Sequence, residues 1–162
     1  MITQNKGEWS ELYVFLKLLG DGILYAGDKN LNKIENSYYP VIEIIRNEKN
    51  KIKHYKTDNQ KIKITDQDNN LLLILPMAEF EEKAKLLLNA IKNSNGTFSV
   101  SQIENFMHKI NCLKVKADSL DKSDLTVVLH DCKTYTNETF GFSIKSMLGG
   151  SSTCLLYTSP SP

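Results

Sequence analysis

The chain has 162 residues, a formal net charge of +1, 41% hydrophobic and 24% charged residues. That composition suits one substantial buried core and excludes a disordered chain or a histone-like basic protein. The longest apolar run, Leu71 to Pro76 with Met77 and Ala78, is far too short to span a bilayer, and the N-terminus lacks a basic-then-apolar signal pattern. Cysteines at 112, 132 and 154 form neither a disulfide framework nor close metal-ligand pairs, so a reduced, cytoplasmic setting is expected.

Glu8 to Leu19 places Trp9, Leu12, Tyr13, Leu16 and Leu19 at helical spacing, and Gly20-Asp21-Gly22 stops the run. An amphipathic opening helix is predicted. Ile23 to Ala26 reads as a short strand and Val41 to Arg46, after Pro40, as another.

From Arg46 to Lys63 seven Lys or Arg face only Glu48 and Asp58. Ile52, Tyr55, Ile62 and Ile64 suggest extended segments, so a pair of short strands with basic sides is expected. Lys49, Lys51, Lys53 and Lys56 are candidate DNA-phosphate contacts, because each lysine that neutralises a phosphate releases a condensed counterion. The plainer reading is a solvated hairpin whose lysines protect an edge.

Leu71 to Leu75 is a buried-looking strand closed by Pro76. Met77 to Asn93 follows as a helix with Phe80, Ala84, Leu87, Leu88 and Ile91 on one face and a Glu81–Lys85 pair on another. Asn95-Gly96 ends it. A further helix begins near Ser99 to Ser101, with Ser101 and Glu104 as a capping box, and buries Ile103, Phe106, Met107 and Ile110.

Two strands, Leu125 to His130 and Phe140 to Lys145, come next, joined by a polar turn. On the second, Phe142 and Ile144 alternate with Ser143 and Lys145. Asp124 stands at the first strand's entrance and Asp131 at its exit. Carboxylates that hold Mg²⁺, with a lysine that orients or activates water and offsets charge on a pentacovalent phosphate, are what metal-dependent phosphodiester hydrolysis needs. Asp124 and Asp131 differ by an odd number of positions, so a straight strand lets only one share a site with Ser143 and Lys145. Asp124 is preferred, since Asp131 begins the turn and can cap it. The order of helix, strands, two helices and strands is a mixed α/β (α+β) plan. Residues 1–95 hold the opening helix, basic strands and second helix, and residues 96–153 hold a helix and the candidate catalytic strand pair.

The tail from Cys154 to Pro162 differs in character. It matches a translation of TGT CTC TTA TAC ACA TCT CCG AGC followed by CC, which resembles a transposase-type sequencing adapter. Residues 154–162 are therefore set apart from fold reasoning, and the natural chain is expected to continue beyond Thr153.

"NKGEWSELYVFLKLLGDG" at the start, "DKSDLTVVLHD" and "GFSIKSMLGGSST" together resemble HpaII-type type II restriction endonucleases, over almost all of residues 5 to 153. The resemblance implies a PD-(D/E)XK-like nuclease core, here incomplete at its C-terminus, and Mg²⁺-dependent cleavage of double-stranded DNA within the palindrome CCGG. It also implies a partner methyltransferase that protects host DNA; a palindromic target suits a homodimer. Asp124 matches the signature aspartate and Lys145 its lysine. Ser143 stands where the general pattern has Asp or Glu, and a hydroxyl cannot replace carboxylate charge at a metal. Asp131 or Glu138 moves in, or Glu8 on the opening helix supplies the acid; Glu8 is the preferred donor. Its alternative role is an N-terminal helix acid stabilised by the macrodipole.

His130 and Cys132 flank Asp131 but point to alternate faces, His54 and His108 stand alone, and Gly149-Gly150 lacks the Lys-Ser/Thr of a phosphate loop. Two other readings stand beside the nuclease. One is a non-catalytic DNA-binding or interaction domain working through Arg46 to Lys63. The other is a domain in which Asp124 and Lys145 form a structural ion pair. The 162-residue chain is expected not to cut DNA, because the catalytic strand would lack the elements that pair with and cover it.

Overall fold

The computed structural model describes residues 2–27, 33–118, 125–146 and 154–158. In chain order these form β1 (Gln4–Asn5), α1 (Lys6–Asp21), β2 (Ile23–Gly27), β3 (Lys33–Glu48), β4 (Lys51–Asp58), β5 (Lys61–Asp66) and β6 (Leu71–Pro76). Next come α2 (Met77–Asn93), β7 (Thr97–Phe98), α3 (Ser101–Lys109), β8 (Leu125–Asp131), β9 (Thr136–Ser146) and β10 (Cys154–Thr158). The architecture is mixed α/β. One antiparallel sheet runs β10-β9-β8-β3-β4-β5-β6, with β2 also on β3, and β1 pairs with β7 separately. Among the described residues no helix is long and apolar enough to cross a membrane.

The sheet's core face is legible as a row of paired positions: Phe140, Val127, Ile44, Tyr55, Ile64 and Leu73 lie side by side across six strands. Val127, Ile44, Tyr55 and Ile64 are fully buried. Lys49-Asn50 and Asn59-Gln60, the two-residue turns on either side of β4, all have positive φ, which matches the twist of tight hairpins and, after glycine, is best tolerated by Asn. β8, from the second half of the chain, inserts beside β3 from the first, so both halves share one sheet. β10 pairs its backbone with Phe142–Ser146 of β9.

The opening helix differs from its predicted form in two ways. It begins at Lys6 rather than Glu8, because Asn5 caps it: the Asn5 side chain accepts the Glu8 N–H at 2.9 Å while the Glu8 carboxylate accepts the Asn5 N–H at 3.2 Å. It is also not amphipathic in the simple sense. Val14, Phe15 and Leu18 are buried along with the expected stripe, because α1 packs on β3 and β9 and also against α2; a helix covered on several sides is apolar on several sides. The expected stop at Gly20-Asp21-Gly22 is where the helix ends. The helix continues to Asp21 and ends at Gly22, whose φ of 68° closes it in the left-handed conformation. Gly20 serves the crossing with α2: a Cβ there would lie 2.6 Å from the Glu81 backbone nitrogen.

α3 also departs from expectation. No side chain caps it, and Glu104 accepts the backbone N–H of Ile2 instead of closing a box with Ser101. β3 is much longer than Val41 to Arg46, extending back through Pro40, where it pairs with β2. Trp9, wholly buried, donates from Nε1 to the Phe98 carbonyl at 2.9 Å and so ties α1 to β7.

Candidate active site and the cleft beside it

The strand pair that carries the candidate catalytic residues forms as expected. β8 and β9 pair from Leu125↔Phe142 to Asp131↔Thr136. Asp124 precedes Leu125 in the chain and lies outside the described residues. Ser143 and Lys145 occupy β9 positions paired with Tyr157 and Leu155, just beyond the end of the β8 pairing.

Asp131 is at the other end of the hairpin. It is six residue steps from Leu125 along β8, roughly 20 Å at about 3.3 Å per residue, and Lys145 lies further still along β9. The structure therefore does not bring Asp131 to Lys145. Its Oδ1 accepts the Lys133 N–H at 2.8 Å, and its carbonyl accepts the Tyr135 N–H at 2.8 Å. That is turn chemistry. Glu138, opposite Leu129, is exposed and also distant along the strand.

Glu8 has two faces to its role. It completes the α1 capping box, the helix-acid alternative drawn from sequence. It also lines a cleft of about 470 Å³ between the N-terminal segment and residues 113–118. Among the described residues no three His, Cys, Asp or Glu side chains converge on one point. Mg²⁺ commonly uses one or two protein carboxylates and keeps several waters, so the Glu8 carboxylate in an open, water-accessible cleft fits as one hard oxygen donor of such a set.

The basic segment divides into internal and external parts. Arg46 is 5% exposed; its Nε donates to Glu48 Oε2 at 2.8 Å, its Nη2 donates to the Val115 carbonyl at 3.1 Å and to that of Lys114, and its guanidinium lies 4.9 Å from the Phe15 ring centroid. Lys53 is turned inward as well, donating to the Asn111 carbonyl and lying 3.4 Å from Glu48. Tyr55, on the same face, donates to the Ile110 carbonyl at 3.0 Å, and burial pushes its hydroxyl well above the usual range. Lys49 and Lys51 are exposed at the β3–β4 turn, while Lys56 reaches Asn69 at 3.2 Å across the opposite face.

Sequence reasoning missed what these inward groups hold. Glu48, also 5% exposed, accepts the Leu113 N–H at 3.0 Å and the Lys114 N–H at 3.4 Å. Burial alone would raise its carboxyl; the bond and charge of Arg46, then the Leu113 N–H and Lys53, outweigh this and hold it below the usual carboxylate range. The Asp118 N–H donates to the Asn47 carbonyl at 2.9 Å. Asp118 in turn accepts from Lys114 Nζ at 2.6 Å and from the Lys49 N–H at 2.6 Å, which keep its carboxyl low. The end of β3 thus fastens residues 113–118, which have no regular secondary structure of their own. The available signal was parity: Arg46 and Glu48 alternate with Ile44, so all three share the core face.

An antiparallel sheet joined to helices in a mixed α/β fold, with the β8–β9 pair toward one edge of that sheet, is consistent with a restriction-endonuclease fold. The HpaII restriction endonuclease family model matches residues 5–160, and the chain belongs to that family. It is 44% identical over 153 residues to the type II restriction enzyme HpaII of Haemophilus parainfluenzae, an alignment covering 93% of this chain and 42% of that protein. The chain therefore spans less than half the length of this relative. No solved structure matches it.

Proposed function

We propose that the chain is part of a type II restriction endonuclease that hydrolyses double-stranded DNA at CCGG with Mg²⁺, through a PD-(D/E)XK-like site built on the β8–β9 pair. The observation that supports this reading is the family match, together with a β8–β9 pairing that reaches Leu125↔Phe142, after which β9 continues through Ser143 and Lys145.

In this reading Asp124 and Glu8 would hold the divalent ion, which would supply Lewis-acid polarisation of the scissile phosphate when bound. Lys145 orients the attacking water and offsets the charge that grows on the phosphoryl oxygens, a contribution made mainly in the transition state. Ser143 offers a neutral hydroxyl where the general pattern has a carboxylate, so it positions water or phosphate by hydrogen bonding and leaves the second negative charge to Glu8. A twofold homodimer suits the palindrome, and a cognate methyltransferase protecting the same sequence follows from the family.

Residues 1–153 joined to the remaining region of the Haemophilus parainfluenzae relative provide the test. Cleavage of a CCGG duplex that requires Mg²⁺ and stops with EDTA is the expected result. A folded chimera that binds the duplex and never cuts it would instead favour the non-catalytic DNA-binding reading.

A further inference from the structure

The cleft beside Glu8 has cationic groups on its wall and rim that the basic stretch alone did not reveal. Lys114, Lys116 and Asp118 form one wall, opposite Gln4 and Glu8. The β3–β4 turn sits on the rim, because the Lys49 N–H bonds Asp118. The lysines are not equivalent. Lys114 is held by Asp118 at 2.6 Å, whereas the Lys116 side chain is 57% exposed and reaches Glu11 only at 3.9 Å. Lys49 and Lys51 are exposed on the adjoining turn. Arg46 and Lys53, turned inward behind them, are committed to Glu48 and to backbone carbonyls.

We propose that this cleft and its rim seat DNA backbone phosphates, with Lys116 contacting from the wall and Lys49 and Lys51 from the turn. Lys53 takes no part, and Lys114 remains the partner of Asp118. The proposal rests on the reading of the protein as acting on duplex DNA, and extends it by naming the surface and the lysines. Three exposed ammonium groups from two chain segments that the Arg46–Glu48 cluster fastens together form a preordered cationic edge. Such an edge is suited to a polyanion, since each neutralised phosphate releases a counterion. Asp118 opposes it in sign, so the cleft carries its own internal control.

The experiment measures binding of the 162-residue chain to a labelled duplex by fluorescence anisotropy across a KCl series, without Mg²⁺. Lys116→Gln is expected to flatten the slope of log K against log salt by about 0.9, and the Lys49→Gln/Lys51→Gln pair by about 1.8. Asp118→Asn, which keeps an acceptor for the Lys49 N–H, is expected to tighten binding. Lys85→Gln on α2, where the side chain is 76% exposed on another part of the surface, is the charge-matched control and should leave the slope unchanged. Lys116→Gln with an unaltered slope, or an equal effect from Lys85→Gln, would overturn the cleft assignment while leaving duplex binding intact. A parent chain with no duplex affinity at any salt would overturn the cleft, and the same result in the chimera with the relative's remaining region would overturn the reading beneath it as well. Circular dichroism melts matching the parent establish that each variant is folded.

Discussion

Arg46 and Glu48, two residues apart on one face of β3, form a 2.8 Å ion pair with each side chain only 5% exposed. Such a pair recovers its desolvation only when the remaining donors and acceptors are met. Here the Leu113 and Lys114 N–H groups and the Lys114 and Val115 carbonyls meet them. Removing one partner, as in Arg46→Met or Glu48→Leu, should cost about 3–5 kcal/mol by urea denaturation. Because the pair also satisfies backbone groups of residues 113–115, the double replacement should not recover parent stability. It leaves buried groups unpaired, each costing about 1–3 kcal/mol. A double variant as stable as the parent would mean that the fastening of residues 113–115 is dispensable.

Glu48 also sets an acid limit. Its carboxyl is lower in the folded chain than in the unfolded one, so the unfolded state binds the proton more readily. The resulting stability is fully present above the unfolded value of about 4.3 and is lost as pH falls through the lower, folded value. Unfolding free energy measured from pH 6 downward should therefore decline in the acid range, and Glu48→Gln should show a shallower decline. Identical pH profiles for the two proteins would remove Glu48 as a source of acid sensitivity.

Gly20 lies at the crossing of α1 and α2, where an added Cβ would meet the backbone N and Cα of Glu81 at 2.6 and 2.7 Å. Backbone cannot swing aside as a side-chain tip can. Gly20→Ala should therefore destabilise by about 1–3 kcal/mol through overpacking, although Ala is the better helix former by about 1 kcal/mol. Thermal melts decide the sign: a rise in Tm would mean the helices separate at little cost.

How much of this could be read beforehand differs from element to element. The α2 stripe and the β8 and β9 strands follow from periodicity, because their apolar positions face one partner each. α1 defeated the same reading by being covered on several sides. Its cap, Asn5-x-x-Glu8, was present in the sequence as a capping-box spacing, hidden behind the choice of Glu8 as the start. Arg46 and Lys53 read as part of an exposed basic stretch, phosphate-contacting or solvated, because a lysine-rich run usually faces outward; strand alternation with Ile44 and Tyr55 was the contrary signal. Lys116 and Asp118 could not have been placed. They lie on a stretch without regular secondary structure, whose position is fixed by long-range contacts, chiefly with the end of β3, that no local pattern encodes.

The central claim is that Asp124 and Lys145 perform metal-dependent phosphodiester hydrolysis. Its most direct test compares Asp124→Ala and Lys145→Ala with the parent chimera on a CCGG duplex, measuring single-turnover cleavage in Mg²⁺ and specific binding in Ca²⁺. Each substitution should slow cleavage by about 10²–10³-fold or more while leaving Ca²⁺-supported binding largely intact, because what is lost is stabilisation of the transition state. Cleavage by the Lys145→Ala protein at close to the parent rate would contradict the account.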